Sequence, residues 1–146
     1  MHRYRHTPTT LLELARIAQL DGASPDQFAT LTPHADLITV APGTVLEHAG
    51  SFARQLLHVV RGNVLALDVD GSRRMLGDGS TIGADQLLGG AAHRATYTAA
   101  TSTDLLVVFG PPIRRVMHAL GVVPSRLAGP LFTIDRSPAA PLGIAS

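Results

Sequence analysis

The 146-residue chain contains no cysteine and no lysine, and aromatic residues make up only 4% of it. Without cysteine, the sequence excludes disulfides, thiolate nucleophiles and thiolate metal sites. Without lysine, it excludes a Walker-type phosphate-binding loop, because that loop needs a lysine to reach the phosphates. The few aromatic side chains argue against a surface that stacks the bases of a single-stranded nucleic acid.

Long apolar runs and a strong net charge are also lacking. No segment approaches the roughly 18 apolar residues of a membrane-spanning helix, and Glu13 and Arg16 interrupt the N-terminal apolar stretch that would otherwise suggest a signal sequence. The formal net charge of +1 favours neither nucleic acid nor a membrane surface as a partner. We therefore expect a soluble, cytoplasmic protein. All 12 of its Lys and Arg residues are arginine, and Ala and Gly are abundant. This composition is typical of a GC-rich bacterial genome.

Two helices are predicted before residue 36. Residues 11 to 20 carry apolar side chains at helical spacing, and Thr10 with Glu13 forms a capping-box pattern at their start. Asp21-Gly22 is a stop signal for this helix. Ser24-Pro25-Asp26-Gln27 is a second start signal, which predicts a short helix to about Leu31.

From Asp36 onward the pattern changes to short apolar runs separated by glycine, which is typical of an all-β core. Asp70-Gly71 predicts a tight hairpin turn between two of the strands. The predicted strands are 37–40, 44–47, 56–60, 64–69, 73–76, 94–100 and 105–109.

Helical spacing returns after the last predicted strand. Pro111-Pro112 opens a helix over residues 113–120, which Gly121 ends, and residues 124–132 are expected to form one more short helix. The predicted fold class is therefore mainly β: an antiparallel, jelly-roll-like β-roll flanked by N-terminal and C-terminal α-helices. We expect a flexible N-terminus over residues 1–10, one domain over 11–132 and a disordered tail over 133–146.

The segment from Ile82 to Ala99 combines a glycine, a short apolar helix, the basic pair His93-Arg94 and the start of a strand. It resembles the phosphate-binding cassette of the cyclic nucleotide-binding domains, the family of the catabolite activator protein and the protein kinase A regulatory subunits. Residues 41–50 and 57–64 resemble two further segments of that family. The resemblance covers residues 11–132 and implies cyclic AMP or cyclic GMP as the ligand.

The resemblance implies a ligand site formed by Gly83, Ala84, Asp85, His93, Arg94, Ala95 and Thr96. In the family, helix amides and an arginine bind the cyclic phosphate, and a glutamate binds the ribose hydroxyl. Here Ala84 stands where the family has that glutamate, which removes a charged hydrogen bond worth about 1.5 to 3 kcal/mol. Asp85 opposes an incoming anion at the start of the helix.

The arginine of the cassette is displaced as well. Counting back from Thr96, the usual arginine position holds His93, and Arg94 follows one residue late. A one-residue shift on a strand reverses the direction of the side chain, unless a β-bulge near Arg94 compensates for it. His93 itself is expected to be a solvated loop residue.

Two hypotheses follow. The first is a stand-alone cyclic nucleotide-binding-like regulatory module with a degenerate cassette, which acts through another protein chain or a second copy, contacted by helices such as 113–120. The second is a working cyclic nucleotide sensor, with Arg94 on the phosphate, that regulates a partner in trans. Catalysis is not expected, because no serine lies in a Gly-x-Ser-x-Gly elbow. A cupin-like metal protein is a distant third, because the chain has no His-x-His pair, and no metal site is predicted.

Overall fold

Two antiparallel sheets and four short α-helices make up the part of the protein that the computed structural model describes, residues 2–4 and 8–124. The helices are α1 (Pro8–Ala15), α2 (Pro25–Leu31), α3 (Ala84–Gly89) and α4 (Gly110–Ala119), with 3-10 turns at Ala18–Leu20 and Thr32–His34. The strands are β1 (His2–Tyr4), β2 (Ala35–Val40), β3 (Val45–Glu47), β4 (Gln55–Arg61), β5 (Val64–Asp68), β6 (Arg73–Leu76), β7 (Thr81–Ile82), β8 (Ala95–Ala99) and β9 (Thr103–Phe109).

The strands form one sheet in the order β1-β2-β9-β4-β7 and a second in the order β3-β8-β5-β6. This confirms the predicted fold class, an antiparallel β-roll flanked by helices. All seven predicted strands are present, and β6 matches its prediction at both ends, because Gly71 with φ of 89° closes the hairpin that Asp70-Gly71 predicts. The strands β1 and β7 were not predicted, because each is only two or three residues long.

The predicted start of α2 is confirmed in detail. Gln27 N donates to Ser24 Oγ at 3.1 Å, and Ser24 N donates to Gln27 Oε1 at 2.8 Å, which is the reciprocal capping box. Helix α4 is also present, one residue short of the predicted end at Leu120.

The predicted first helix is wrong in its bounds and in its cap. Helix α1 begins at Pro8, so Thr10 lies inside the helix, fully buried, rather than at its cap. The helix also ends at Ala15, because Ile17 adopts an extended conformation and the chain continues as a 3-10 turn to Leu20. Ile17 and Leu20 are still buried, so the predicted apolar residues lie in the core although the helix is not continuous.

The prediction for residues 125–132 and for the tail lies outside the described residues, and the domain boundaries remain predictions.

The core has two parts, and the cassette lies between them. One cluster packs the helices against the first sheet and includes Leu14, Ile17, Leu31, Leu56, Leu87, Leu106, Ile113 and Met117. The other fills the space between the sheets and includes Val59, Val64, Ala66, Ile82, Ala95, Tyr97 and Leu105. Helix α3 therefore packs into the first cluster while the strand that follows it, β8, packs into the second.

In the described ranges, no helix has the length and apolar character needed to span a membrane.

Candidate functional site: the cassette between β7 and β8

The cassette begins with a glycine that no other residue could easily replace. Gly83 has φ of 97°, and a Cβ added there would lie 2.8 Å from the carbonyl oxygen of Gln55. Its own carbonyl accepts the amide of Leu87 at 2.9 Å, which starts α3. Ala84 is 5% exposed and Asp85 lies in the first turn. The structure thus brings Gly83, Ala84 and Asp85 together at the start of α3.

His93 points into the protein and lies against a carboxylate. Its side chain is fully buried, and its Nε2 lies 3.5 Å from Oε1 of Glu47, whose side chain is 13% exposed. The imidazole ring also meets the ring of Tyr97 edge-on, with 5.8 Å between centroids. The prediction of a solvated loop histidine is therefore wrong, because β3 brings Glu47 across the cassette and the backbone fixes His93 in place: its amide donates to Ser51 O at 2.8 Å.

Arg94 points the other way. Its side chain is 70% exposed, with Nη2 3.8 Å from Oδ1 of Asp68. The β5–β8 register runs without a shift from Val64–Ala99 to Asp68–Ala95, and the carbonyl of Arg94 accepts the amide of Val69 at 2.9 Å. The strand therefore has no bulge that would turn Arg94 inward, and its guanidinium does not join His93.

The rest of the strand follows the same alternation. Ala95 is 3% exposed and packs in the core between the sheets, whereas Thr96 is partly buried and its Oγ1 accepts the amide of Ala49 at 3.0 Å. Thr96 thus holds the chain that follows β3. Among the residues that the resemblance implies, the structure places His93 next to the start of α3, because a Cβ built on Gly83 would lie 3.6 Å from Cε1 of His93. It separates Arg94 from them.

Glu47 is the residue that sequence reasoning missed. Its Oε2 accepts a hydrogen bond from Nε2 of Gln55 at 3.0 Å, so Gln55, Glu47 and His93 form a continuous polar chain. The pairing of β3 with β8 shifts register between Val45 and Glu47. The available signal was that Glu47 is the one charged residue in the predicted strand 44–47.

Burial decides the charge state of the site. It lowers the pKa of His93 below the ordinary 6.5, and the nearby Glu47 carboxylate offsets only part of that effect. Burial likewise raises the pKa of Tyr97 above its ordinary value of 10.0. Within the described residues, neither ring nitrogen of His93 has a partner in hydrogen-bond geometry. The inside of the cassette therefore holds the Glu47 side chain and an imidazole with a lowered pKa, in place of a guanidinium that could pair with an anion.

A second buried pair of the same kind joins α1 to the first sheet. Nε2 of His58, on β4, lies 3.6 Å from Oε1 of Glu13, on α1, and His58 is 2% exposed. Burial lowers the pKa of His58, Glu13 raises it and Arg16 lowers it by a smaller amount. In the part of the chain that the structure describes, no three His, Asp or Glu side chains converge as a metal site.

The arrangement of the strands and the cassette matches solved structures of cyclic nucleotide-binding domains. A regulatory subunit of a cAMP-independent protein kinase A from Trypanosoma brucei aligns with a TM-score of 0.66 and 18% identity, over 77% of this chain and 43% of that one. The C-linker/CNBHD of zELK channels aligns with a TM-score of 0.63 and 26% identity, over 73% of this chain and 61% of that one. A cyclic nucleotide-binding-like protein from Brucella abortus aligns with a TM-score of 0.61 and 20% identity, over 75% of this chain and 98% of that one.

The chain spans less than two thirds of the first two of these proteins. No protein-family model matches the chain, and no curated protein does. The likeness to these solved structures is therefore a likeness of fold. The protein therefore has the fold of the cyclic nucleotide-binding domains.

Proposed function

We propose that the protein is a regulatory interaction module rather than an enzyme, that its cassette takes neither cAMP nor cGMP, and that it acts by contacting another protein chain. One observation carries the proposal: His93 lies inside the cassette, at the position where the resemblance implies an arginine, and Arg94 lies outside it. The inward position holds an imidazole against Glu47, while the guanidinium of Arg94 lies 70% exposed on the outside.

The charges at the cassette disfavour a cyclic phosphate. A phosphate near the start of α3 would meet the Glu47 side chain, which is only 13% exposed, and the guanidinium of Arg94, which is 70% exposed on the outer side, would not offset the repulsion. Ala84 offers no acceptor to a ribose hydroxyl. Each lost charged hydrogen bond costs about 1.5 to 3 kcal/mol, which corresponds to roughly a ten- to hundredfold loss of affinity.

The fold is compatible with regulation that does not depend on cAMP. One of the proteins that share it is a regulatory subunit of a cAMP-independent protein kinase A. The other proteins compared are a channel domain and a cyclic nucleotide-binding-like protein. The regulatory subunit among these neighbours supports a regulatory role, and the contact with another protein chain is the part of the proposal that is ours.

Calorimetry with cAMP and with cGMP at millimolar concentration tests the loss of nucleotide binding. We expect no heat of binding and no shift in Tm, for the wild type and for Arg94→Ala alike. Binding to the wild type that Arg94→Ala abolishes would overturn the proposal and support a working sensor instead. Because Arg94 lies outside the inner cassette, Arg94→Ala should also leave assembly with a partner intact.

A further inference from the structure

A groove of about 730 Å³ lies on the surface between α3, α4 and the segment that precedes β4. Its walls include Phe52, Arg54, Leu87, Pro111, Arg114 and Arg115. A cavity of this size is in the range that binds compact ligands or the side chains of a partner. The groove shares α3 with the cassette, but His93, Arg94 and the residues at the start of α3 are not part of its lining.

One side of α4 supplies the basic wall of the groove. Pro111, Arg114, Arg115 and His118 are spaced at i, i+3, i+4 and i+7, which places them on one side of the helix. The opposite side, with Ile113, Val116 and Met117, is buried in the core. Because the opposite side of α4 is buried, Arg114 and Arg115 lie on the outside of the protein.

The positive charge of the groove is not balanced from within. Arg54, Arg114 and Arg115 are exposed, and none of the ion pairs found among residues 8–124 involves them. No carboxylate is among the residues that line the groove. Three guanidinium groups without an ion pair in the described part of the chain surround one concave surface and create a local positive potential there, even though the whole chain has a net charge of only +1.

The groove also has an apolar part. Phe52 is 68% exposed at its edge, and Leu87 and Pro111 lie beside it. A large aromatic side chain left in water costs free energy unless a partner covers it, and aromatic and arginine side chains are the residues that most often dominate binding at protein interfaces. The combination of an apolar edge with arginines favours a protein segment over a nucleic acid, which would find only one aromatic side chain to stack on.

The walls of the groove are held in place before any partner arrives. The amide of Gly110, at the start of α4, donates to the carbonyl of Arg54 at 2.8 Å, and a Cβ on Gly110 would lie 2.5 Å from that oxygen. Phe52 pairs with Ala92 in an isolated β-bridge. Such a surface loses little conformational entropy on binding, which favours affinity.

We propose that this groove binds an acidic segment of a partner protein, with carboxylates on Arg54, Arg114 and Arg115 and one apolar side chain covering Phe52. The proposal rests on the proposed function, because it names the surface through which the interaction module would act. Binding should weaken as salt is added, because exposed ion pairs are screened.

The experiment uses the full chain as bait in lysate of its native host, treated with nuclease, followed by crosslinking and mass spectrometry to find the partner segment. Three baits are compared: the wild type, the groove variant Arg114→Ala/Arg115→Ala and the control Arg73→Ala/Arg74→Ala. The control removes the same charge from β6, in the other sheet. A synthetic peptide of the crosslinked segment, and the same peptide with Asp and Glu changed to Asn and Gln, are then titrated into each bait.

The proposal expects a crosslinked segment rich in carboxylates, an affinity for its peptide that falls roughly tenfold or more in the groove variant but not in the control, and no binding of the neutral peptide. A partner retained by the groove variant would overturn the groove proposal and leave the interaction module standing. Equal loss in both variants, capture of nucleic acid in place of protein, or crosslinks only to a second copy of the chain would also overturn it. Capture of nothing by any bait would count against the proposed function and the groove together.

Discussion

His93 Nε2 lies 3.5 Å from Oε1 of Glu47 inside the cassette, where the His93 side chain is fully buried and that of Glu47 is 13% exposed. The contact joins residues 46 positions apart, one on β3 and one in the loop before β8. It places a carboxylate of the protein itself beside the helix start that, in the resembling family, faces the phosphate of a ligand. This relationship governs the charge of the site.

Replacing Glu47 should change the titration of His93. Because the Glu47 carboxylate raises the pKa of His93 against the effect of burial, Glu47→Gln should lower that pKa further. The Cε1–H signals of the histidines, followed by NMR across pH, measure this directly. The matched control is Glu13→Gln, which should lower the pKa of His58 and leave His93 unchanged, since Glu13 acts on His58. A His93 titration that does not move on Glu47→Gln would show that the two groups do not interact in solution.

The two buried histidines should make the protein less stable in mild acid. Burial lowers the pKa of His58 in the folded state below the 6.5 of the unfolded chain. As the pH falls through 6.5, His58 is protonated in the unfolded state but not yet in the folded state. The free energy of unfolding therefore decreases with falling pH until the pKa of the folded state is reached. Each such proton contributes at most about 1.4 kcal/mol per pH unit.

The variant His58→Gln should therefore flatten the dependence of stability on pH between about pH 7.5 and 5.5. The readout is the slope of the free energy of unfolding from urea titrations, because the absolute stability of the variant also changes with packing. An unaltered slope in His58→Gln would mean that His58 is accessible to protons in the folded protein.

The side of the strand that each residue occupies could be predicted from the sequence, whereas the partners could not. Counting back from Thr96 indicated that the Arg94 side chain faces away from the position of the family's arginine. The β5–β8 register has no shift, and Arg94 does face that way. Facing on a strand is a local property with a period of two. The burial of His93 depends on Glu47, which no local pattern connects to the cassette.

The same distinction explains the first helix. The apolar positions of residues 11 to 20 were predicted from spacing, and Leu14, Ile17 and Leu20 are indeed buried. The end of the helix at Ala15 was not predicted, because the apolar spacing continues past it to Leu20. In contrast, the start of α2 was predicted correctly because a capping box is made of neighbours in the chain.

Gly110 should be intolerant of even a methyl group. A Cβ at this position would lie 2.5 Å from the carbonyl oxygen of Arg54, a backbone atom that cannot move aside alone. Gly110→Ala should therefore lower the free energy of unfolding by about 1 to 3 kcal/mol. Gly89→Ala is the matched control: it lies in α3 with nothing within 4 Å of its Cβ, so it should be neutral or stabilise by about 0.5 to 1 kcal/mol. Urea titration of both variants measures the difference, and equal stability would contradict a rigid contact between α4 and Arg54.

The cassette should regain affinity for a cyclic nucleotide when its inner charges are reversed. In Glu47→Gln/His93→Arg, the buried carboxylate is removed and a guanidinium takes the inward position, where it can offer two donors to a phosphate beside the start of α3. We expect heat of binding with millimolar cAMP or cGMP in this variant and none in the wild type. Far-ultraviolet circular dichroism and a cooperative thermal transition establish that the variant is folded, and Glu47→Gln alone, which lacks the guanidinium, is the control. If the folded double variant binds no more nucleotide than the wild type, then the His93–Glu47 pair is not what closes the site to nucleotides.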